Sequence, residues 1–186
     1  MRKIFAFLVV TADGYYEGPN GEFDWPNVDQ EFNDFSVEQL DGIGTLLFGR
    51  LTYETMAEYW PTPQGYEDSP AIAERMNAIP KIVVSRTLQQ AAWSGTRLLT
   101  DDVAEELTAL KQQPGKNLAI FGSSNLTANL LPLGLIDELR IMVHPIILSS
   151  GKPLFHTAEH RIPLHLTGTR TFASGNVMNY YRPTPP

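Results

Sequence analysis

The sequence predicts an α/β fold: a mixed, mostly parallel central sheet flanked by helices, with an antiparallel C-terminal hairpin. Two patterns carry this expectation. Up to residue 131, short apolar runs rich in β-formers alternate with stretches whose apolar residues recur at helical spacing, as in sheets built from crossover units. From Ile136 onward the texture is β, and Ser174-Gly175-Asn176 separates two strand-like segments as a hairpin turn does. No repeat, linker or low-complexity stretch divides the 186 residues, so 1–186 is expected to form a single domain with a sizeable core.

Residues 4–10 read as a buried strand because the run is short, apolar and rich in β-formers. Residues 13–26 form a connector that Gly14, Gly18, Pro19, Asn20 and Gly21 make too irregular for regular structure. Val28, Phe32, Phe35 and Leu40 then fall on roughly one helical face. A strand at 45–48 leads into a short helix at 52–59, which Pro61 and Pro63 should stop. A helix near 71–77 precedes a strand at 81–84. Asp101 is placed to cap a helix at 103–111, which has acidic residues in its first turn and a lysine in its last. A strand at 118–121 breaks at Gly122 before a helix at 125–131. Strands at 138–144, 164–172 and 177–181 complete the order, and the tail at 183–186 is expected to be loose.

Composition narrows the function. A formal net charge of −7 argues against a nucleic-acid surface, which needs a basic face. A small phosphorylated cofactor remains compatible, since two or three local donors suffice. The absence of cysteine rules out disulfides, thiolate catalysis and cysteine metal sites. The apolar stretch at 4–10 is at the short limit of a signal core, and no run reaches membrane-spanning length. The expectation is a soluble cytoplasmic protein with neither nucleic-acid nor membrane partners.

Three junctions could carry chemistry. At Gly49-Arg50-Leu51-Thr52-Tyr53-Glu54 a strand gives way to a helix whose first amides lack intrahelical partners. Those donors, the helix dipole and the Arg50 guanidinium suit an anion, phosphate above all. At Val84-Ser85-Arg86-Thr87 a strand end offers two hydroxyls and a cation. At Gly122-Ser123-Ser124-Asn125-Leu126 a strand breaks at glycine and serines precede a helix. Ligands of open α/β sheets bind at the carboxyl ends of strands, where all three junctions fall. Each alone reads more readily as an ordinary cap or turn; three in series weaken that reading.

The order Ala12-Asp13-Gly14, Asp24-Trp25, Phe48-Gly49-Arg50-x-Thr52-x-Glu54, Val83-Val84-Ser85-Arg86 and Ile120-Phe121-Gly122 resembles the dihydrofolate reductase superfamily. The segment from Asp137-Glu138-Leu139 through His144-Pro145-Ile146 to Gly151-Lys152-Pro153-Leu154-Phe155 is closer to one branch, the reductase (RibD C-terminal) domain of bacterial riboflavin-biosynthesis deaminase-reductases and its stand-alone relatives. The resemblance spans residues 4–181. It implies a dihydrofolate reductase-like fold, NADPH across the carboxyl edge of the sheet, and hydride transfer to a bound heterocycle. By matching positions, Gly49, Arg50, Leu51 and Thr52 would hold the cofactor phosphates. Ser85 and Arg86 would lie beside the adenosine and its 2′-phosphate. Gly122, Ser123, Ser124, Asn125 and Leu126 would contact the pyrophosphate, and the backbone at Val9 the nicotinamide amide. Residues 13–25 would act as a mobile lid, and a homodimer is a further expectation from the riboflavin branch.

The departures bear on substrate. The family's substrate-binding carboxylate corresponds to either Asp29 or Glu31, the candidate catalytic residues, neither of which aligns cleanly; both also read as a solvated helix start. The threonine that supports that carboxylate is Val143, which cannot donate a hydrogen bond. The family's glycine pair is Gly122-Ser123, and the following tyrosine is Thr127. A pyrimidine, pterin or flavin-like ring is therefore expected in place of dihydrofolate. The reading from another class is a non-catalytic nucleotide-, pterin- or flavin-binding protein on the same fold. His156-Thr157-Ala158-Glu159-His160 matches a zinc-peptidase pattern that needs a sustained helix, which Pro153 and Pro163 deny it, so no metal is expected. His144 is expected to be a packed or hydrogen-bonded residue.

Overall fold

The computed structural model describes residues 1–184. In chain order its elements are β1 (Ile4–Thr11), β2 (Tyr15–Glu17), α1 (Gln30–Asp41), β3 (Ile43–Gly49), α2 (Arg50–Tyr59), α3 (Pro63–Asp68), α4 (Pro70–Ala78), β4 (Lys81–Val84), β5 (Thr96–Leu99), α5 (Val103–Gln112), β6 (Asn117–Phe121), α6 (Ser124–Leu130), β7 (Glu138–His144), β8 (Lys152–Pro153), β9 (Leu164–Thr171) and β10 (Val177–Pro183). Eight strands form one sheet in the order β5-β4-β3-β6-β1-β7-β10-β9. The pairs from β5 through β7 are parallel; β10 pairs antiparallel with both β7 and β9. The expected mixed, mostly parallel sheet with its closing hairpin is the observed one.

A central parallel strand is covered on both faces, so both alternating sets of its side chains must be apolar. β1 meets that demand. Phe5 and Phe7 enter a core with Phe35 and Leu40 of α1, Tyr53 of α2 and Met76 of α4. Ile4, Ala6 and Leu8 enter the opposite core with Leu107 of α5 and Leu126 of α6. On α1, Phe35 and Leu40 are buried and Phe32 partly so; Val28 precedes the helix and is 55% exposed.

Four local expectations are corrected. The 13–26 connector is not wholly irregular: β2 pairs with β8, more than 130 residues on, and the Asp13 carboxylate accepts N–H bonds from Leu148 (3.3 Å) and Ser149 (2.9 Å). Strands of two and three residues are too short to show a period. Pro63 opens α3 rather than only ending α2. Its missing N–H costs nothing at a first helical turn, and Thr62 Oγ1 accepts the Gly65 N–H. The unforeseen β5 is an edge strand, and its two apolar residues, Leu98 and Leu99, give no alternation. Asp101 does not cap α5; the N-cap is Asp102, left-handed at φ 51°, and the Asp101 carboxylate lies 3.8 Å from the Arg86 guanidinium. In the tail, Pro183 pairs with Leu164, and Thr184 N–H bonds to Pro163 O; the remainder of the expected loose segment lies outside the described residues.

Lys81, at the start of β4, is 1% exposed. Its ammonium donates to Asn77 O (3.1 Å), Ile79 O (2.8 Å) and Ser94 O (3.4 Å) and sits 4.4 Å over the Trp93 ring, tying the end of α4 to the turn before β5. Burial pushes its pKa down to about 8 from 10.5. Across that window the unfolded chain keeps a proton that the folded protein has released, so the Lys81 contribution to stability rises with pH. The melting temperature of the wild type minus that of Lys81→Met should therefore increase from pH 7 to pH 10; a flat difference would contradict the shift.

Candidate functional site

Because β4, β3, β6 and β1 are adjacent and parallel, their carboxyl ends share one edge. Gly49 at the end of β3 and Phe121 at the end of β6 therefore bring the starts of α2 and α6 together. Gly49 is the N-cap of α2 at φ −79° and ψ 163°, a backbone any residue adopts. The turn itself therefore does not need a glycine here. What matters is the missing side chain, which leaves the first α2 amides uncapped. Gly122, by contrast, is required. Its φ of +59° favours glycine, and an added Cβ would come within 3.2 Å of Thr52 Cγ2.

Between the two helix starts lies a cavity of about 340 Å³. Gly49, Arg50, Leu51 and Thr52 form one wall, and Ser123, Ser124, Asn125 and Leu126 another. Val84, which opens the second junction, completes it with Tyr16 and with Asn129 and Glu17, the last two not singled out by the sequence. Tyr16 and Glu17 arrive through the β2–β8 pairing and Glu17 forms an ion pair with Lys152; Tyr16 reads in sequence as a possible stacking aromatic, but no local signal places either residue at this cavity. The walls are tied directly: Gly49 N–H donates to Ser123 Oγ at 2.9 Å and Ser123 N–H donates to Thr52 Oγ1 at 3.1 Å. Arg50 lines the cavity with its guanidinium 2.9 Å from Glu54, one helical turn on; both side chains are about 40% exposed.

Gly122, directly before Ser123, and the other expected site residues lie outside this lining. The Ser85 hydroxyl accepts the Thr87 and Leu88 N–H groups at 3.1 and 2.9 Å, closing a turn. Arg86 is exposed, with Asp101 as its nearest carboxylate. Val9 lies on β1 opposite Met142 of β7, half-buried against the α1-side core. Asp29 caps α1 by accepting the Phe32 N–H at 2.8 Å. Glu31 accepts the Ala173 N–H at 2.8 Å, which fastens α1 to the hairpin.

His144, fully buried at the end of β7, accepts the Asn27 N–H on Nδ1 at 3.0 Å. Burial holds its pKa below 6.5, so the ring is neutral with its proton on Nε2. Asn176 Nδ2 donates to Asn27 O at 2.9 Å, so both backbone polar groups of Asn27 are held before α1.

Residues 13–17, the first part of the expected lid, are joined to 148–154. Besides the Asp13 bonds, Leu154 N–H donates to Gly14 O at 3.0 Å, and the Tyr16 and His156 rings stack at 6.0 Å. His156–His160 form turns and coil rather than a helix. Among the described residues, no group of three or more His, Asp or Glu is placed to hold a metal ion, and no helix is long and apolar enough to cross a membrane. A larger hollow of about 650 Å³ lies against the other side of α2, but its buried polar groups are already paired, Tyr53 OH with Trp93 N–H and Trp93 Nε1 with Asn77. Of the expected site residues, Gly49 to Thr52 and Ser123 to Leu126 lie at the smaller cavity.

Strand order, crossovers and a strand-end cavity together define a dihydrofolate reductase-like fold. Dihydrofolate reductase from Enterococcus faecalis, solved with NADP(H), is similar over 98% of this chain and 96% of that one, with a TM-score of 0.62 at 18% identity. A putative riboflavin biosynthesis protein from Shewanella sp. PV-4 superposes over 98% and 99% of the two chains, with a TM-score of 0.75 at 22% identity. The Bacillus subtilis (strain 168) protein YyaP is 37% identical over 182 residues, 97% of this chain and 94% of that protein. Residues 2–178 match the RibD C-terminal domain, and the chain belongs to that family.

Proposed function

We propose that this protein is an NADPH-dependent reductase that transfers a hydride to a small heterocycle, a pyrimidine, pterin or similar ring, in the manner of a 5-amino-6-(5-phosphoribosylamino)uracil reductase. The supporting observation is the meeting of two strand-end turns at one cavity, with uncapped α2 amides and Arg50 on its walls and the left-handed Gly122 directly before the wall residue Ser123. That donor set suits a pyrophosphate: amides and one guanidinium where charge must be met. Gly49 to Thr52 and Gly122 to Leu126 would hold the phosphates, Ser85 and Arg86 the adenosine end, and Val9 the nicotinamide amide. The cofactor, when bound, supplies a hydride from C4 of its nicotinamide; the chain supplies orientation and a groove walled by Tyr16 and Glu17.

Of the two candidate carboxylates, Asp29 is the one we assign to any proton step, because only its Oδ1 is engaged while Glu31 is bonded to the hairpin. Asp29→Asn keeps a competent helix cap. It is expected to lower kcat at least tenfold (about 1.4 kcal/mol) on whichever heterocycle is turned over, with the NADPH dissociation constant unchanged. Turnover at the wild-type rate would remove the assignment. Homodimerisation is also proposed, through the free edge of β9, where Leu164 and Leu166 are 40% and 50% exposed; light scattering would report the mass.

The deciding experiment is a titration with NADPH against NADH. Tighter binding of NADPH, with the preference reduced in Arg86→Ala, is expected; binding of neither would refute the reading. Binding of NADPH without oxidation by any pyrimidine, pterin or dihydrofolate would favour a non-catalytic binding protein on this fold.

A further inference from the structure

We propose that Ser123 is a positioning residue whose hydroxyl locks the Gly122–Asn125 turn against the start of α2 and thereby sets the spacing of the pyrophosphate groove, a role that rests on the cofactor reading above. A side chain in the left-handed region carries a steric cost that glycine avoids. Ser123 bears that cost at φ 53°, directly after Gly122 at φ 59°. An N-cap serine ordinarily turns its hydroxyl onto an amide of its own helix. Ser123 is the N-cap of α6 and makes no such bond. Its Oγ instead accepts the Gly49 N–H at 2.9 Å and reaches Phe121 O at 3.4 Å, while its N–H donates to Thr52 Oγ1 at 3.1 Å.

The result is a reciprocal pair of bonds between position 123 and both ends of the 49–52 turn, which lie 74 and 71 residues away in sequence. One partner in each bond is backbone, so the distance between turns is set without a long flexible side chain. Gly49, lacking a side chain, cannot cap α2, and its own N–H is taken by Ser123; the amides of Arg50, Leu51 and Thr52 remain free of a capping side chain. A glycine at 123 would relieve the backbone but lose the hydroxyl that holds Gly49. Retaining serine there makes sense when the spacing itself matters.

Ser123→Ala and Ser123→Gly separate the hydroxyl from the backbone, since alanine keeps the left-handed cost and glycine removes it. Both should fold and bind NADPH and NADH about five- to tenfold more weakly, the equivalent of one ordinary hydrogen bond. The NADPH-to-NADH ratio should stay at its wild-type value, because the bond pair acts at the shared pyrophosphate. In turnover, KM for NADPH should rise with kcat held within about twofold, as expected for lost uniform binding. Dissociation constants from cofactor fluorescence provide a readout independent of turnover. Wild-type affinity in Ser123→Ala would overturn the inference. So would wild-type affinity in Ser123→Gly beside weak binding in Ser123→Ala, which would place the effect in backbone strain. Failure of both variants to fold would make Ser123 a requirement of the fold instead. A wild-type protein that binds neither cofactor removes the proposed function and this role with it, whereas normal wild-type binding with unchanged variants removes only this role.

Discussion

Arg50→Ala is expected to raise the NADPH dissociation constant at least tenfold, about 1.4 kcal/mol. Among the described residues the guanidinium is the only cation lining the 340 Å³ cavity, and it now pairs with Glu54 at 2.9 Å. Removing it takes away a charged donor and also leaves the Glu54 carboxylate unneutralised one turn along α2, where it repels any phosphate. Two comparison variants sharpen the measurement. Arg50→Lys keeps the charge but loses the planar fork, so it should fall between wild type and alanine. Glu54→Gln frees Arg50 from its competitor and should bind NADPH at least as tightly as the wild type. The exposed pair itself contributes little to stability, so the melting temperature of Arg50→Ala should stay close to that of the wild type. An unchanged dissociation constant would remove the phosphate site.

Gly122→Ala should have the largest effect on stability among substitutions at the site. The residue sits at φ +59°, and the new methyl would come within 3.2 Å of Thr52 Cγ2. Left-handed strain and that contact together should cost about 1–3 kcal/mol, or roughly 2–12 °C in melting temperature for a chain of this size. Thr52 is also the acceptor for Ser123 N–H, so pushing it aside should weaken cofactor binding as well. Calorimetry and a cofactor titration on the same sample would measure both. Full stability in Gly122→Ala would mean that the two turns are not closely packed.

Local sequence revealed what depends on local physics. Apolar runs marked β1, β3, β4, β6 and β7 because a covered parallel strand must be apolar on both faces, and Ser174-Gly175-Asn176 marked the final hairpin. The starts of α2 and α6 were legible as glycine-bearing strand ends. Hidden were features set by distant pairing. Tyr16 and Glu17 reach the cavity only because residues 15–17 meet 152–153. The Ser123 hydroxyl turns to Gly49, though serine before a helix ordinarily reads as that helix's own cap. Asp29 and Glu31 looked interchangeable in sequence, and only packing separates a cap on α1 from a tie to the hairpin. Asp101 was expected to cap α5, and only the left-handed backbone at 102 places the cap one residue on.

The last strand, β10, is not at the margin of the sheet: it lies between β7 and β9 and is bonded to both. Residues 177–183 must therefore be in place before β9 can join the sheet, because among the described residues β9 has no other partner there. Deleting Val177–Pro183 should detach β9 as well, and should be far more damaging than losing a strand from the margin.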